Sequence, residues 1–284
     1  MSFKSIVTFL ASEAEVAGTL PQAIRFALSQ NAHLTACLMG VDMTPAGGFY
    51  MGASPILLQE TLEHAQADAE VLEEQARRML EGHPLNWAAE SAVAQFGGLP
   101  GLVGLRARFS DLVIQSRPYG KDALPSQEAV IEAALFEGQA PVLVLPGQTS
   151  PGNALPADFG KRVMIGWNQS NEALSAVRRA LPLLKAADMV SVVVVNPPVH
   201  SPERSDPGGM LTQMLARHGV RAEVAVLAKT LPRVSDVLLR HMEDIDASVL
   251  VMGAYGHSRL REAILGGATR NVLENAKRAL FLAH

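Results

Sequence analysis

The chain of 284 residues contains a single cysteine, Cys37, and this scarcity excludes an internal disulfide. Because Cys37 lies in an apolar alternating run, we expect a buried core residue rather than a reactive thiol. No stretch approaches the ~18 consecutive apolar residues that a membrane-spanning helix requires. These absences favour a protein of the reducing cytoplasm that has no contact with membranes.

Motifs for metal binding and for catalysis are absent as well. None of the eight histidines forms a His-x3-His pair, and no carboxylate cluster has the spacing of metal ligands. The chain has neither a G-x4-G-K-[ST] phosphate loop nor a G-x-S-x-G nucleophile elbow. Efficient phosphoryl transfer needs positioned charge and an oriented nucleophile. The sequence therefore predicts binding rather than catalysis, with no catalytic residue and no metal site.

Charge is distributed unevenly along the chain. Residues 1–147 hold 8 Lys/Arg and 16 Asp/Glu, a net charge of −8, whereas residues 148–284 hold 16 Lys/Arg and 12 Asp/Glu, a net charge of +4. No basic run is dense enough to indicate binding of nucleic acid. The second half is the one in which we expect an anionic ligand.

One plan of alternating strands and helices occurs twice along the chain. The apolar first strands are predicted at residues 5–10 and 162–167, and the short apolar fifth strands at residues 141–145 and 279–283. Strands that alternate with helices predict a parallel sheet with helices on both faces. An unpaired apolar edge strand is a liability, so the two fifth strands are expected to pair with each other.

Turn residues and a proline mark the predicted boundaries. The stretch at residues 147–153 is rich in Gly, Ser, Pro and Asn and is typical of a linker. It separates a first domain, residues 1–147, from a second domain, residues 160–284. Pro182 lies inside the helix predicted over residues 171–185 and is expected to bend it.

The most informative stretch of the sequence is a glycine pattern in the second half. Gly253 and Gly256 follow the apolar run at residues 248–252, and Gly266 and Gly267 follow after nine further residues and open a helix. Glycines after a buried strand let the backbone approach a ligand closely. A helix N-terminus offers free N–H groups and a partial positive charge, which suit a phosphate group.

This order of strand, G-x2-G-x9-G and helix resembles the nucleotide loop of the universal stress protein family, and the repeated plan resembles its tandem, two-domain type. The resemblance implies two doubly wound five-stranded parallel-sheet domains, Rossmann-like and adenine nucleotide α-hydrolase-like, that form an internal pseudo-dimer. It further implies a non-catalytic role in the stress response. The expected ligand is ATP or another adenine nucleotide, with Mg²⁺ as an option, and a homodimer and an unidentified protein partner stay open.

The resemblance also assigns nucleotide-binding positions to residues of the second domain. Two of them depart from the family pattern: Gly267 stands where nucleotide-binding members have Ser or Thr, and Asn168 stands where they have Asp. Thr269 is expected to replace part of the missing hydroxyl. The nucleotide-binding residues assigned in this way are Gly253, Gly256, Gly266, Gly267, Ala268, Thr269, Asn168 and Val195. A second interpretation of Asn168 is that it serves only as a turn or helix-cap residue.

The first half departs further from the glycine pattern. Its corresponding loop, residues 116–120, is one residue longer and lacks the first glycine, and Ser126 opens the following helix without a Gly-[ST] pair. A serine at that place is more typical of a helix cap than of a phosphate ligand. We expect a degenerate loop in the first domain, with a structural or partner-binding role.

Two other functions compete with nucleotide binding. The first is an interaction or scaffold module of the same fold whose glycine loop binds nothing, which Gly267 and Asn168 favour. The second is an enzyme of the related ATP pyrophosphatase class. Such an enzyme carries an S-G-G-x-D-S-type loop after a first strand, and neither residues 8–13 nor residues 166–170 resemble one.

Overall fold

A computed structural model of the chain shows two compact units. One unit extends from residue 2 to residue 142, and the other comprises residues 143–146 together with the second half. The structure describes residues 2–43, 55–120, 123–146, 155–197, 205–254 and 267–284. No helix in these ranges is long and apolar enough to cross a membrane.

The first unit is a parallel sheet with helices packed on it. Its strand order is β3-β2-β1-β4, in which β1 lies parallel to both β2 and β4, and β2 lies parallel to β3. These strands are β1 (Ser5–Leu10), β2 (His33–Asp42), β3 (Asn86–Gln95) and β4 (Leu112–Ser116). The helices are α1 (Glu13–Gly18), α2 (Leu20–Gln30), α3 (Pro55–Leu80), α4 (Leu99–Ala107) and α5 (Pro125–Phe136).

The second unit repeats this plan with one additional neighbouring strand. Its strand order is β5-β10-β9-β6-β7-β8, and all pairs from β10 to β8 are parallel. The strands are β5 (Val142–Leu145), β6 (Arg162–Gly166), β7 (Met189–Val195), β8 (Ala222–Leu227), β9 (Val249–Gly253) and β10 (Ala279–Ala283). The helices are α6 (Asn171–Arg179), α7 (Leu181–Ala186), α8 (Gly209–Arg217), α9 (Val234–Asp244) and α10 (Gly267–Asn275).

Burial explains the composition of the central strands. In β1, β4, β9 and β10 nearly every residue is buried, which is the state of a strand covered by helices on both faces. Cys37 of β2 is buried as expected, and burial raises the pKa of its thiol to about 12. The predicted α/β class, the parallel sheets and the neighbouring positions of the two fifth strands are confirmed.

Pro182 acts at a helix boundary rather than at a bend. The helix predicted over residues 171–185 is divided into α6 and α7, and Ala180 is both the last cap of α6 and the first cap of α7. Pro182 lies in the first turn of α7, where its missing N–H has no acceptor within the helix to lose. The proline therefore starts a second helix.

Candidate functional site

The topology of the second unit creates a crevice at the carboxyl ends of its strands. The chain leaves β6 toward β7 on one side, while β9 lies on the other side, so the strand order reverses beside β6. Ligands of open α/β sheets bind at such a reversal. A cavity of about 240 Å³ lies there. Its lining residues are Gly166, Trp167, Asn168, Gln169, Val193, Val194, Val195, Asn196, Pro197, Val234, Leu238, Met252, Gly253 and Ala268.

Part of the cavity lining is apolar. Val193 to Val195 come from the end of β7, and the backbone N–H of Trp167 donates to the carbonyl of Val193 over 2.9 Å. Trp167 itself is buried. An apolar wall with few polar groups is the common lining of small-molecule sites and suits a flat, weakly polar ring such as a nucleobase.

Asn168, which also lines the cavity, lies in the turn between β6 and α6. Its Oδ1 accepts a hydrogen bond from the backbone N–H of Ser170 over 3.1 Å, and the Ser170 hydroxyl in turn accepts from the N–H of Ala173 at the start of α6. Asn168 is also exposed and lines the cavity. The turn interpretation is thus observed, and the amide Nδ2 is the donor that the side chain offers to a ligand.

Gly253 has a structural reason to be glycine. A Cβ built on it would lie 2.5 Å from the backbone nitrogen of Ala173 and 2.6 Å from the carbonyl carbon of Glu172. The first turn of α6 therefore crosses directly over the end of β9, and no side chain fits between them. The sequence analysis explained this glycine by the close approach of a ligand. The structure shows that the close approach of α6 already requires a glycine here.

The first turn of α10 is placed at the same cavity. Gly267 begins the helix, Ala268 lines the cavity, and Thr269 is buried beneath. The first N–H groups of a helix have no acceptor within it. No heavy atom of the described residues lies within 4 Å of the place where a Cβ on Gly267 would be. Gly256 and Gly266, which the resemblance also assigns to the ligand, lie outside the described residues.

The structure thus brings four of the assigned residues to one cavity: Asn168, Val195, Gly253 and Ala268. It adds others that the sequence did not indicate, above all Val234 and Leu238 of α9 and Met252 of β9. Leu238 and Met252 are buried core residues and Val234 is exposed, and nothing in the sequence pattern says that they border an opening.

Two further lining residues carry a backbone signal. Gln169 has a φ of 64° and Asn196 a φ of 48°, the left-handed region that side chains other than Asn, Asp and Gly adopt at a cost. Such conformations persist where the surrounding structure imposes them, and they cluster at ligand sites. A sequence shows φ only indirectly, so nothing in the sequence marked Gln169 as a residue of the site.

The first unit holds a buried carboxyl at the start of its first helix. Ser12 caps α1 as Ser170 caps α6, and Glu15 therefore corresponds to Ala173. The Glu15 carboxylate accepts from the N–H of Ala11 over 2.7 Å and from Nε2 of Gln127, near the start of α5, over 2.9 Å. Burial raises the pKa of Glu15, and these donors offset part of that rise. The first unit thus has a buried carboxyl where the second unit has Ala173.

Comparison with known proteins places the second half in a family. Residues 160–283 match the sequence profile of the Universal stress protein family. The universal stress protein Slr1230 of Synechocystis sp. is 34% identical to this chain over 65 residues. That stretch covers 23% of this chain and 22% of that protein, so it spans less than a quarter of the relative.

Solved structures agree over nearly the whole chain. A universal stress protein from Archaeoglobus fulgidus DSM 4304 superposes with a TM-score of 0.71 at 14% identity, covering 98% of this chain and 97% of that one. A functionally unknown protein from Pseudomonas aeruginosa PAO1 superposes with a TM-score of 0.58 at 15% identity, covering 99% of this chain and 92% of that one. At these identities the agreement shows the fold.

Proposed function

Because residues 160–283 form a universal stress protein domain, we propose that the cavity at the carboxyl ends of β6, β7 and β9 binds ATP or another adenine nucleotide. One observation carries this proposal. Asn168, Val195, Gly253 and Ala268 are distant in sequence and were assigned to a nucleotide by position alone, and they line one cavity.

The chemistry of the lining residues suggests where each part of the nucleotide binds. The base lies against the apolar end of β7 and Trp167, where few polar groups compete for it. The phosphate groups lie toward Gly267 and Ala268, because the first turn of α10 supplies unpaired N–H groups and the positive end of the helix dipole. The ribose lies beside Asn168, whose amide donates to a hydroxyl oxygen.

We assign this site a binding role without rapid turnover. Among the described residues that line it there is no Asp, Glu, His, Lys or Arg, so the lining supplies neither a general base nor a charged metal ligand of its own. Any Mg²⁺ would arrive on the phosphate groups. The bound nucleotide would alter the stability of the second unit or its choice of partner, as a non-catalytic stress-response protein requires.

A second function, an interaction module that binds no nucleotide, has its own support. The approach of α6 accounts for Gly253, and the turn at Ser170 accounts for Asn168. Two residues of the pattern thus have structural reasons that need no ligand. Only measurement of binding separates the two functions.

The experiment begins with mass spectrometry of the purified protein, native and then denatured, to detect a nucleotide that co-purifies. Calorimetric titration with ATP, with and without Mg²⁺, follows. Ala268→Leu adds bulk at an exposed lining position and should weaken ATP binding at least tenfold. Ala216→Leu makes the same change at an exposed position of α8 outside the lining and should leave binding unchanged. No binding by the parent protein, or equal binding by both variants, would favour the interaction module.

A further inference from the structure

A buried polar network joins the two helices that flank the cavity, α9 and α10. Ser235 and Asn271 are 1% and 4% exposed. In the amide orientation that satisfies both of its ends, Asn271 Nδ2 donates to Ser235 Oγ over 2.9 Å and to Asp236 Oδ1 over 3.0 Å. Its Oδ1 accepts a hydrogen bond from the guanidinium of Arg233. The network therefore ends on a cation.

A buried polar network is not needed to stabilise the contact between α9 and α10. Apolar side chains of similar volume commonly stabilise a buried contact at least as well as a buried polar network does. The network does, however, hold Arg233, an exposed residue with a long and flexible side chain, in one position. An ordered guanidinium loses less entropy when it binds a further partner.

The held guanidinium contacts α10, the helix whose first turn borders the cavity. Arg233 caps the start of α9 and is followed directly by Val234, which lines the cavity. Its partner, Asn271, lies one turn after Gly267, and helical side chains point back toward the N-terminus of their helix. The Asn271 oxygen and the guanidinium therefore lie over the turn that carries Ala268, another lining residue.

We propose that Arg233 is the residue that makes this site prefer phosphorylated ligands over the nucleoside. The inference rests on the proposed function. A guanidinium has five N–H donors in a planar fork, and the bond to Asn271 leaves others for phosphate oxygens. Asp236 offsets part of the positive charge nearby. Arg233 thus contributes oriented N–H donors more than net charge. The preference for phosphorylated ligands should therefore depend on the planar guanidinium group.

The test compares adenosine, AMP and ATP as ligands of the full chain by calorimetric titration. Arg233→Ala should weaken ATP and AMP binding about tenfold or more, the usual effect of losing a hydrogen bond to a charged group, and should leave adenosine binding unchanged. Arg233→Lys keeps the charge without the fork and should lie between the parent and Arg233→Ala. Arg240→Ala removes the same charge from an exposed position of α9, where Arg240 pairs with Asp244 over 3.9 Å, and should change nothing.

The ratio of the ATP and adenosine affinities distinguishes this role from a structural one. If Arg233 only ties α9 to α10, its replacement weakens adenosine and ATP binding alike, and the inference is overturned. Unchanged ATP binding in Arg233→Ala overturns it as well. If the parent protein binds none of the three ligands, the proposed function and this inference fall together. If the parent binds ATP and the variants do not differ from it, only this inference falls.

Discussion

Gly253, which lines the cavity, and Gly267, which begins α10, should respond to the same substitution to alanine with opposite changes in stability. Gly253→Ala places a methyl group 2.5 Å from a backbone nitrogen and 2.6 Å from a carbonyl carbon of α6. Both contacts involve backbone, which cannot turn aside as the end of a flexible side chain can. Either α6 or β9 must shift, and such overpacking costs about 1–3 kcal/mol of the free energy of unfolding.

Gly267→Ala is the matched control. The added methyl group meets no heavy atom of the described residues within 4 Å, and Gly267 lies in the α-helix α10, whose backbone conformation alanine readily adopts. A Gly to Ala change at a compatible position stabilises by about 0.4–1 kcal/mol, chiefly because the unfolded chain loses freedom. Gly253→Ala should therefore be less stable than the parent and Gly267→Ala more stable. Their free energies of unfolding should differ from each other by roughly 1.4–4 kcal/mol.

The measurement is urea unfolding followed by tryptophan fluorescence and by circular dichroism. The chain has two tryptophans, Trp87 in the first unit and Trp167 in the second, so a Trp87→Phe background makes the fluorescence report the second unit. Both signals are needed because two units need not unfold together. If Gly253→Ala unfolds at the parent's urea concentration, the close approach of α6 to β9 is refuted as the reason for this glycine.

The remaining predictions concern the buried carboxyl of the first unit and the missing hydroxyl of the second. Burial raises the folded pKa of Glu15 above its usual 4.5, so its stabilising contribution is full below pH 4.5 and is lost as the pH rises through the folded pKa. Glu15→Gln should thus gain stability relative to the parent from pH 4 to pH 8 in urea unfolding. If the difference in the free energy of unfolding between Glu15→Gln and the parent is the same at every pH, the raised pKa of Glu15 is not its cause. Gly267→Ser has room for its side chain and should strengthen ATP binding by about 1 kcal/mol, the net value of one hydrogen bond, in calorimetric titration. If Gly267→Ser binds ATP more weakly than the parent, the glycine is itself required at this position and the absence of a hydroxyl is not a loss.

The architecture could be predicted because it follows from local patterns. Continuous apolar runs such as residues 249–252 have the composition of strands covered on both faces, and their alternation with helices leaves few topologies open. The glycine spacing after Met252 placed the second half in the family that the profile of residues 160–283 confirms. Both signals lie in short segments of chain, where sequence determines structure most directly.

The composition of the candidate site could be predicted only in part. Asn168, Val195, Gly253 and Ala268 each follow a strand or open a helix, so their meeting at the carboxyl end of a parallel sheet is a consequence of topology. Val234 of α9 borders the same cavity because of the way its helix packs across the sheet, and helix packing has no signature in a single sequence.

The sequence by itself determined the alternating α/β plan and the loss of the glycine pattern in the first half. Only the tertiary structure decided that α6 makes Gly253 obligatory, that Glu15 is buried against Gln127, and that Arg233 is held against Asn271 of α10. Each of these facts is a distance between segments far apart in the chain. Such distances depend on how closely whole helices and strands approach, and that approach is set by the packing of many side chains at once rather than by any local pattern.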